Sequence, residues 1–596
     1  MVAVSRSRSV SEVIADELYH LGVTDIFCIV GGAIAPLTDV FAKDSRFQVH
    51  YLLHEQSAGI AAESYSATSR RPSVLVVTSG PGSTNAMTPL VAAWTNSSPL
   101  IVLAGQVRSL DIQAAGNNRQ WGSQHIDSIT MVSPFTKLAR RIDSDSVQSH
   151  FSSDLNLSVS GRPGPVWFEI PTDVQRATSR EVFSAKASSK TLDYEEICTF
   201  ISILAEAINN SKKPLILLGN GCRSSLVDVL KLIRELNWPV QLTWPALDFL
   251  TVDDPLYVGR PGSISTWGAN LTIQNADLVL VLGARLDWGQ VAFRPENFAP
   301  NAKIFRVEID AEELRRIPAT KSIDACSSVD EFIAAIEKVD LFKTASQKDI
   351  SSWKKQVSVW KSALSEFGAN LPITGISMYD LLECVSSNSS NFQTLVSGSS
   401  GTCTEQVMQA IAPRMGQRVV NSGGLGSMGF GLAGAIGAYY ATGKPVLCLE
   451  SDGSFAMNPQ DLAYIAKNSL PIRILIMDSL GYKSILLSQR RGKFSVAGVD
   501  EATGVDLPDP VELARAMGMN GDKVEIHTEW NSQVVNFLNS TSPYLLQVIV
   551  SQDEEAAPRV ISKPNADGLM ETAKLDDLWP PLSREKYEEY VSPWMS

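Results

Sequence analysis

Short apolar runs recur along the chain and stop abruptly at glycine, serine or a charged residue. Asp25-Ile26-Phe27-Cys28-Ile29-Val30 ends at Gly31-Gly32-Ala33, and Val49 to Leu53 ends at His54-Glu55-Gln56. Ser73 to Val77 runs into Thr78-Ser79-Gly80-Pro81-Gly82-Ser83-Thr84-Asn85, Leu100 to Ala104 stops at Gly105-Gln106, and Val166 to Ile170 follows Ser160-Gly161-Arg162-Pro163-Gly164-Pro165. Runs without polar alternation predict strands covered on both faces. The segments between them have helical period, starting with an amphipathic stretch within 11–28 and a small-residue one after Glu55. Strands alternating with helices predict a parallel α/β sheet.

The same rhythm returns twice. Pro214 to Gly219, Leu278 to Leu282 and Ile304 to Ile309 form a second set, and a third α/β unit runs from about Ser377 to Val550. A chain of 596 residues exceeds one core. The expected architecture is three doubly wound parallel-sheet domains, at 1–185, 191–340 and 375–552. The Ser/Lys-rich stretch Ser184 to Lys190 reads as a linker and Val339 to Ile373 as a partly helical connector. Residues 553–596, acidic and carrying Trp579-Pro580-Pro581 and Trp594, read as an extended arm packing on a neighbour.

In the third unit two apolar runs end alike. Pro445 to Leu449 leads into Glu450-Ser451-Asp452-Gly453-Ser454, and Ile472 to Met477 leads into Asp478-Ser479-Leu480-Gly481-Tyr482. Oxygen donors at neighbouring strand ends lie where open α/β sheets bind ligands. They suit a hard cation such as Mg²⁺ bridging to phosphates, with the glycines letting backbone N–H groups approach. The alternative, that Asp-Gly-Ser only turns a strand into a helix, accounts for one such end better than for a pair.

Composition narrows the classes. A formal charge of −13 argues against a nucleic-acid or anionic-membrane surface, and no uninterrupted apolar run is long enough to span a bilayer. The seven cysteines are scattered without a CxxC, which suggests neither a disulfide framework nor a zinc site. Met1 to Val10 carries two arginines with no apolar run behind them, so no secretory signal is expected and the expected location is cytoplasmic.

Taken in order, Val30-Gly31-Gly32-Ala33-Ile34, His54-Glu55-Gln56, Thr78 to Asn85, Ser160 to Pro165, Gly424-Leu425-Gly426-Ser427-Met428-Gly429-Phe430-Gly431 and the Asp452 stretch match one family. Over nearly its whole length the chain resembles the acetolactate synthase (acetohydroxyacid synthase) branch of thiamine-diphosphate (ThDP) enzymes. Arg119 to Gln124 and the tail segments Pro558-Arg559-Val560 and Trp579 to Leu582 look most like the acetolactate-synthase-like proteins of bacterial surface-polysaccharide gene clusters.

The resemblance implies a pyrimidine-binding, a central and a diphosphate-binding domain. ThDP would lie between the first domain of one subunit and the third of another, in a homodimer or homotetramer. It makes Glu55 the carboxylate that hydrogen-bonds the pyrimidine, and Gly80 and Asn85 part of the same binding surface. Gly426 would hold the amino group, Met428 would wedge under the cofactor (or simply fill core), and Gly398, Ser399 and Ser400 would form the diphosphate loop. Asp452, Ser479 and the Gly481 carbonyl would ligate Mg²⁺, with the Gly453 and Ser454 amides on the diphosphate. Gln124 would face the reacting carbon. His125 is either a proton mover at the acceptor or a structural histidine, and His54 shapes the pocket.

The implied reaction decarboxylates a 2-oxo acid such as pyruvate and transfers the two-carbon unit to a carbonyl acceptor. Aldehyde-releasing relatives use an adjacent histidine pair, and none of the six histidines here adjoin. Two alternatives stay open: a decarboxylase or lyase that releases aldehyde, and a catalytically silent ThDP-binding protein. The second is motivated by Ser451 and Asp478-Ser479, which stand where the family has Gly and Asn-Asn. The acceptor-selecting tryptophan is missing from Ile485 to Arg491, Ser399-Ser400 replaces Gln-His, and Pro171-Thr172-Asp173 replaces Pro-Lys-Asp, so a keto-sugar acceptor is a live hypothesis. Gly283-Ala284-Arg285-Leu286-Asp287-Trp288 keeps one of two arginines of FAD-binding relatives, which leaves FAD open.

Overall fold

The computed structural model describes residues 8–143, 150–179, 194–316, 322–338, 349–368, 373–525, 529–541, 543–564 and 570–594. The chain forms two compact units, one of Met1–Lys190, Ser389–Gly401 and Val420–Ile549, the other of Thr191–Asn388, Thr402–Val419 and Val550–Ser596.

The first unit begins with α1 (Val10–His20), started by a capping box in which Ser9 and Glu12 satisfy each other's backbone N–H groups. Its first sheet contains β1 (Asp25–Cys28), β2 (Gln48–Tyr51), β3 (Ser73–Val77), β4 (Leu100–Gln106), β5 (Leu138–Arg141) and β6 (Val166–Pro171). They lie in the order β2-β1-β3-β4-β6-β5, all pairs parallel. The central strands β1, β3, β4 and β6 are buried at every residue, as their unbroken apolar runs require. Helices α2 (Glu55–Ser69) and α3 (Met87–Asn96) belong to this half.

The second unit carries β7 (Pro214–Leu218), β8 (Val240–Leu242), β9 (Leu278–Leu282), β10 (Lys303–Glu308) and β11 (Ser322–Cys326), parallel in the order β8-β7-β9-β10-β11. The remaining sheet contains β12 (Thr394–Ser397), β13 (Arg418–Val420), β14 (Val446–Ser451), β15 (Ile472–Asp478), β16 (Asn520–Val524) and β17 (Tyr544–Ile549), in the order β13-β12-β14-β15-β17-β16. That is the winding of the first sheet repeated. In both, the strand order reverses beside the first strand, and there the crevice beyond the strand C-termini accepts ligands. The crevice of the last sheet therefore lies between the ends of β12 and β14, at Gly398 and Asp452.

Inside the first unit, α2 packs along α4 (Phe430–Thr442). The fit is backbone against backbone: a Cβ on Gly437 would stand 1.9 Å from the Ala61 carbonyl oxygen, and Ser64 Oγ donates to the Gly434 carbonyl at 2.7 Å. Three short helices or turns of helix follow, α5 (Asp452–Phe455), α6 (Asp461–Lys467) and α7 (Lys483–Arg491).

The tail differs from the extended arm expected of it. Within the second unit Arg559–Val560 pairs with Leu578–Trp579 and Ser562–Pro564 with Met570–Thr572, and a helix covers Arg584–Tyr590. Val560, Leu575, Leu578 and Val591 join a core with Leu215, Trp267, Trp353 and Trp360 of the same unit. Apolar residues spaced through a polar stretch supplied that anchor, too sparsely to show a period. The linker from Ser184 to Lys190 lies outside the described residues, as do 339–348 and 369–372 of the connector, whose Ser351–Ala363 is helical. Among the described residues no helix is long and apolar enough to cross a membrane.

Candidate active site

Glu55 is the first residue of α2, just beyond the end of β2. His54 is its N-cap, and Nδ1 accepts the Gln56 amide at 3.1 Å, so this ring shapes the helix start. One Glu55 oxygen accepts a hydrogen bond from Asn85 Nδ2 at 3.0 Å. Asn85 ends the turn that follows Gly80, and it is exposed while Glu55 is half-buried. Gly80 has φ 63° and ψ −115°, and a Cβ there would lie 2.9 Å from Gln124 Cα. Only glycine serves at that position. The structure thus brings Asn85 against Glu55 and Gln124 against Gly80. His125 is 9% exposed, with Nδ1 3.5 Å from the Trp121 amide, and is folded into its own loop.

At the other end, Asp452 opens α5. Its Oδ2 accepts the Gly481 amide at 2.6 Å, and its Oδ1 is buried with no donor. Burial and the adjacent Asp478 carboxylate push the Asp452 carboxyl well above the usual carboxylate range. Asp478 itself accepts the Leu480 amide at 2.7 Å and a hydrogen bond from Gln547. The Ser479 hydroxyl donates to the Gly481 carbonyl at 3.2 Å. So Asp452, Ser479 and Gly481 converge, and the open carboxylate oxygen beside a second carboxylate is what a hard cation would neutralise. Among the described residues no group of three or more His, Cys, Asp or Glu is placed to hold a metal, so hydroxyl and carbonyl oxygens would have to complete the set. These residues fit Mg²⁺.

The loops around this point are tied together. Ser399 Oγ accepts the Ser422 amide at 3.0 Å, and Asn421 Nδ2 donates to the Gly398 carbonyl at 2.6 Å. Glu450, wholly buried, lies against Gly398 and accepts the Gly431 and Ser451 amides at 2.8 and 3.0 Å; burial lifts its carboxyl to about 7. The Gly426 amide donates to the Ser422 carbonyl at 3.0 Å. Met428, half-buried, is followed by Gly429, whose N–H donates to Ser454 Oγ at 2.8 Å and whose carbonyl accepts Asn458 Nδ2 at 3.0 Å. The Ser454 hydroxyl is therefore engaged with the Met428 loop. Tyr482 packs on Gly453, where a Cβ would come within 2.4 Å of the ring. Ser400 is half-buried.

Sequence reading missed a buried group. Glu63, 2% exposed, accepts Asn96 Nδ2 at 2.7 Å and Ser422 Oγ at 3.1 Å. Its partners lie 33 and 359 positions away, so no spacing pattern marks it. In the second unit Arg285, beyond β9, lies 3.7 Å from Asp287, with Trp288 exposed beside it.

Three family models match in order: the thiamine pyrophosphate enzyme N-terminal TPP-binding domain over residues 8–131, the central domain over 201–336 and the C-terminal TPP-binding domain over 399–548. The large subunit of acetolactate synthase isozyme 1 from Escherichia coli K12 is 31% identical over 566 residues, covering 92% of this chain and 95% of that protein. The mitochondrial catalytic subunit of acetolactate synthase from Saccharomyces cerevisiae is 28% identical over 599 residues, covering 95% and 83%. Among solved structures, a thiamine diphosphate-dependent 4-hydroxybenzoylformate decarboxylase from Rhodococcus jostii RHA1 superposes with a TM-score of 0.71 at 21% identity, over 91% of this chain and 99% of that one. That last likeness speaks to the fold alone.

Proposed function

Because the chain belongs to the acetolactate-synthase family of thiamine-diphosphate enzymes, we propose that it is a ThDP- and Mg²⁺-dependent carboligase. It would decarboxylate a 2-oxo acid, pyruvate first among them, and transfer the two-carbon unit to a carbonyl acceptor. The observation that carries this reading is the similarity to an acetolactate synthase subunit along 95% of that protein's length, which spans the whole machinery rather than one domain.

When bound, ThDP supplies the electron sink for decarboxylation. The chain supplies the rest. Glu55, held by Asn85, would bond the pyrimidine nitrogen, a charge-assisted contact strengthened as water is excluded. Asp452, the Ser479 hydroxyl and the Gly481 carbonyl would hold Mg²⁺, with Asp478 adding charge. The Gly453 and Ser454 amides and the Gly398-Ser399-Ser400 loop would hold the diphosphate. Gly426 and Met428 would fix the cofactor's shape, and Gln124 would stand towards the acceptor, with His125 holding the loop that carries it.

Glu55 and Asn85 lie towards the surface of their unit, which supports a second subunit covering them, in a homodimer or homotetramer. Ile485, 49% exposed, occupies the region where acetolactate synthases select a second 2-oxo acid, and the lack of an aromatic there keeps a different acceptor, such as a keto-sugar, open beside a second 2-oxo acid. The absorbance spectrum of purified protein decides whether the central domain carries FAD. The reaction itself is tested by CO₂ release from pyruvate: it should require both ThDP and Mg²⁺, and no release with any acceptor would overturn the reading.

A further inference from the structure

Glu63 stands on α2 two turns beyond Glu55, yet it points away from solvent into a cluster of loop contacts. Oε1 accepts Asn96 Nδ2 at 2.7 Å and the Ser422 hydroxyl at 3.1 Å, and Asn96 Nδ2 also lies 2.6 Å from Ser422 Oγ. Each partner reaches a different part of the candidate cofactor site. The Asn96 side-chain oxygen accepts the Gly424 amide at 3.0 Å, two residues before Gly426. The Ser422 amide donates to Ser399 Oγ at 3.0 Å, and its carbonyl accepts the Gly426 amide at 3.0 Å.

One carboxyl thus fixes, through two neighbours, both the Gly398–Ser400 loop and the Gly424–Met428 loop. A carboxyl at 2% exposure is costly to keep unless its bonds are needed. Burial pushes it up to about 7, against the pull of Asn96 and Ser422. Nothing in packing alone calls for a carboxylic acid here. An apolar side chain on the same helix would have filled the space, as Ile60 and Ala61 do at 0% exposure.

We infer that Glu63 is a positioning residue for the cofactor site, holding the diphosphate loop and the Met428 loop in register through Ser422 and Asn96. The inference rests on the reading of those loops as the ThDP site. Removing the acceptor takes away the anchor shared by the buried Ser422 hydroxyl and the half-buried Asn96 amide and so loosens both loops, whereas an amide of the same shape keeps an oxygen in place. A purely structural glutamate would change the stability of the cofactor-free protein and leave cofactor affinity alone.

The test is ThDP affinity at fixed Mg²⁺, measured by titration calorimetry on the full chain. Glu63→Ala should weaken binding about tenfold or more, while Glu63→Gln should stay within about threefold of wild type. Ser422→Ala, which removes only the hydroxyl link, should shift affinity the same way and serves where Glu63→Ala fails to fold. Wild-type affinity in Glu63→Ala or, should that variant not fold, in Ser422→Ala overturns the inference, as does a Glu63→Gln variant as weak as Glu63→Ala. A wild-type protein that binds no ThDP overturns the site reading itself, and this inference with it.

Discussion

One carboxylate oxygen of Asp452 accepts the Gly481 amide at 2.6 Å, and the other is buried beside Asp478 with no donor. Two carboxylates held together inside a protein repel, so this site costs stability until a cation fills it. Asp452→Asn keeps an oxygen for Gly481 and removes the repulsion. The expected outcome is a thermal midpoint of the cofactor-free variant no lower than wild type, with Mg²⁺-dependent ThDP binding weakened at least a hundredfold (roughly 3 kcal/mol). Differential scanning fluorimetry with and without ThDP and Mg²⁺ reads both.

Glu55→Gln should still bind ThDP but lose turnover by roughly 10²–10⁴, the range of a lost acid–base partner. Asn85→Ala, which removes only the donor to Glu55, should lose less. Steady-state rates at saturating cofactor check the order, and full turnover in Glu55→Gln would refute the assignment.

Gly80→Ala should be damaging without touching any polar group. The new methyl meets Gln124 Cα at 2.9 Å, in a backbone conformation that only glycine adopts easily. A stability loss of about 1–3 kcal/mol is expected, with reduced turnover. Chemical denaturation measures the first and the pyruvate assay the second.

Stability should also rise on acidification between about pH 7 and the ordinary carboxylate range. Burial lifts Glu63 to about 7, and does the same to Asp461 beside Ser57. Both bind protons more tightly folded than unfolded, so the stability they confer is complete below the unfolded values and is lost as pH climbs to about 7. Each contributes up to about 1.4 kcal/mol per pH unit across that window. Asp461→Asn should flatten the slope; an unchanged profile of thermal midpoint against pH would contradict this.

Much of this was legible where chemistry and period coincide. The runs Ser73–Val77 and Leu278–Leu282 are strands at the residues their apolar patterns delimit, because a central parallel strand is covered on both faces. Two edge strands were not: Leu138–Arg141 and Asn520–Val524 carry charged or polar side chains towards solvent and lack the pattern. In the same way Asp452 and Gly481 could be paired from sequence, since each ends an apolar run. Glu63 and Ser422 could not, because their contact is made by the packing of α2 and α3 against a loop far along the chain, and a lone glutamate in a small-residue helix carries no signal of its own.

The central claim, carbon–carbon ligation, is tested most directly by the products formed from isotopically labelled pyruvate. The purified protein, supplied with ThDP, Mg²⁺ and candidate carbonyl acceptors, should release labelled CO₂ and place the remaining two carbons in a ligated product. Aldehyde as the sole product would contradict it.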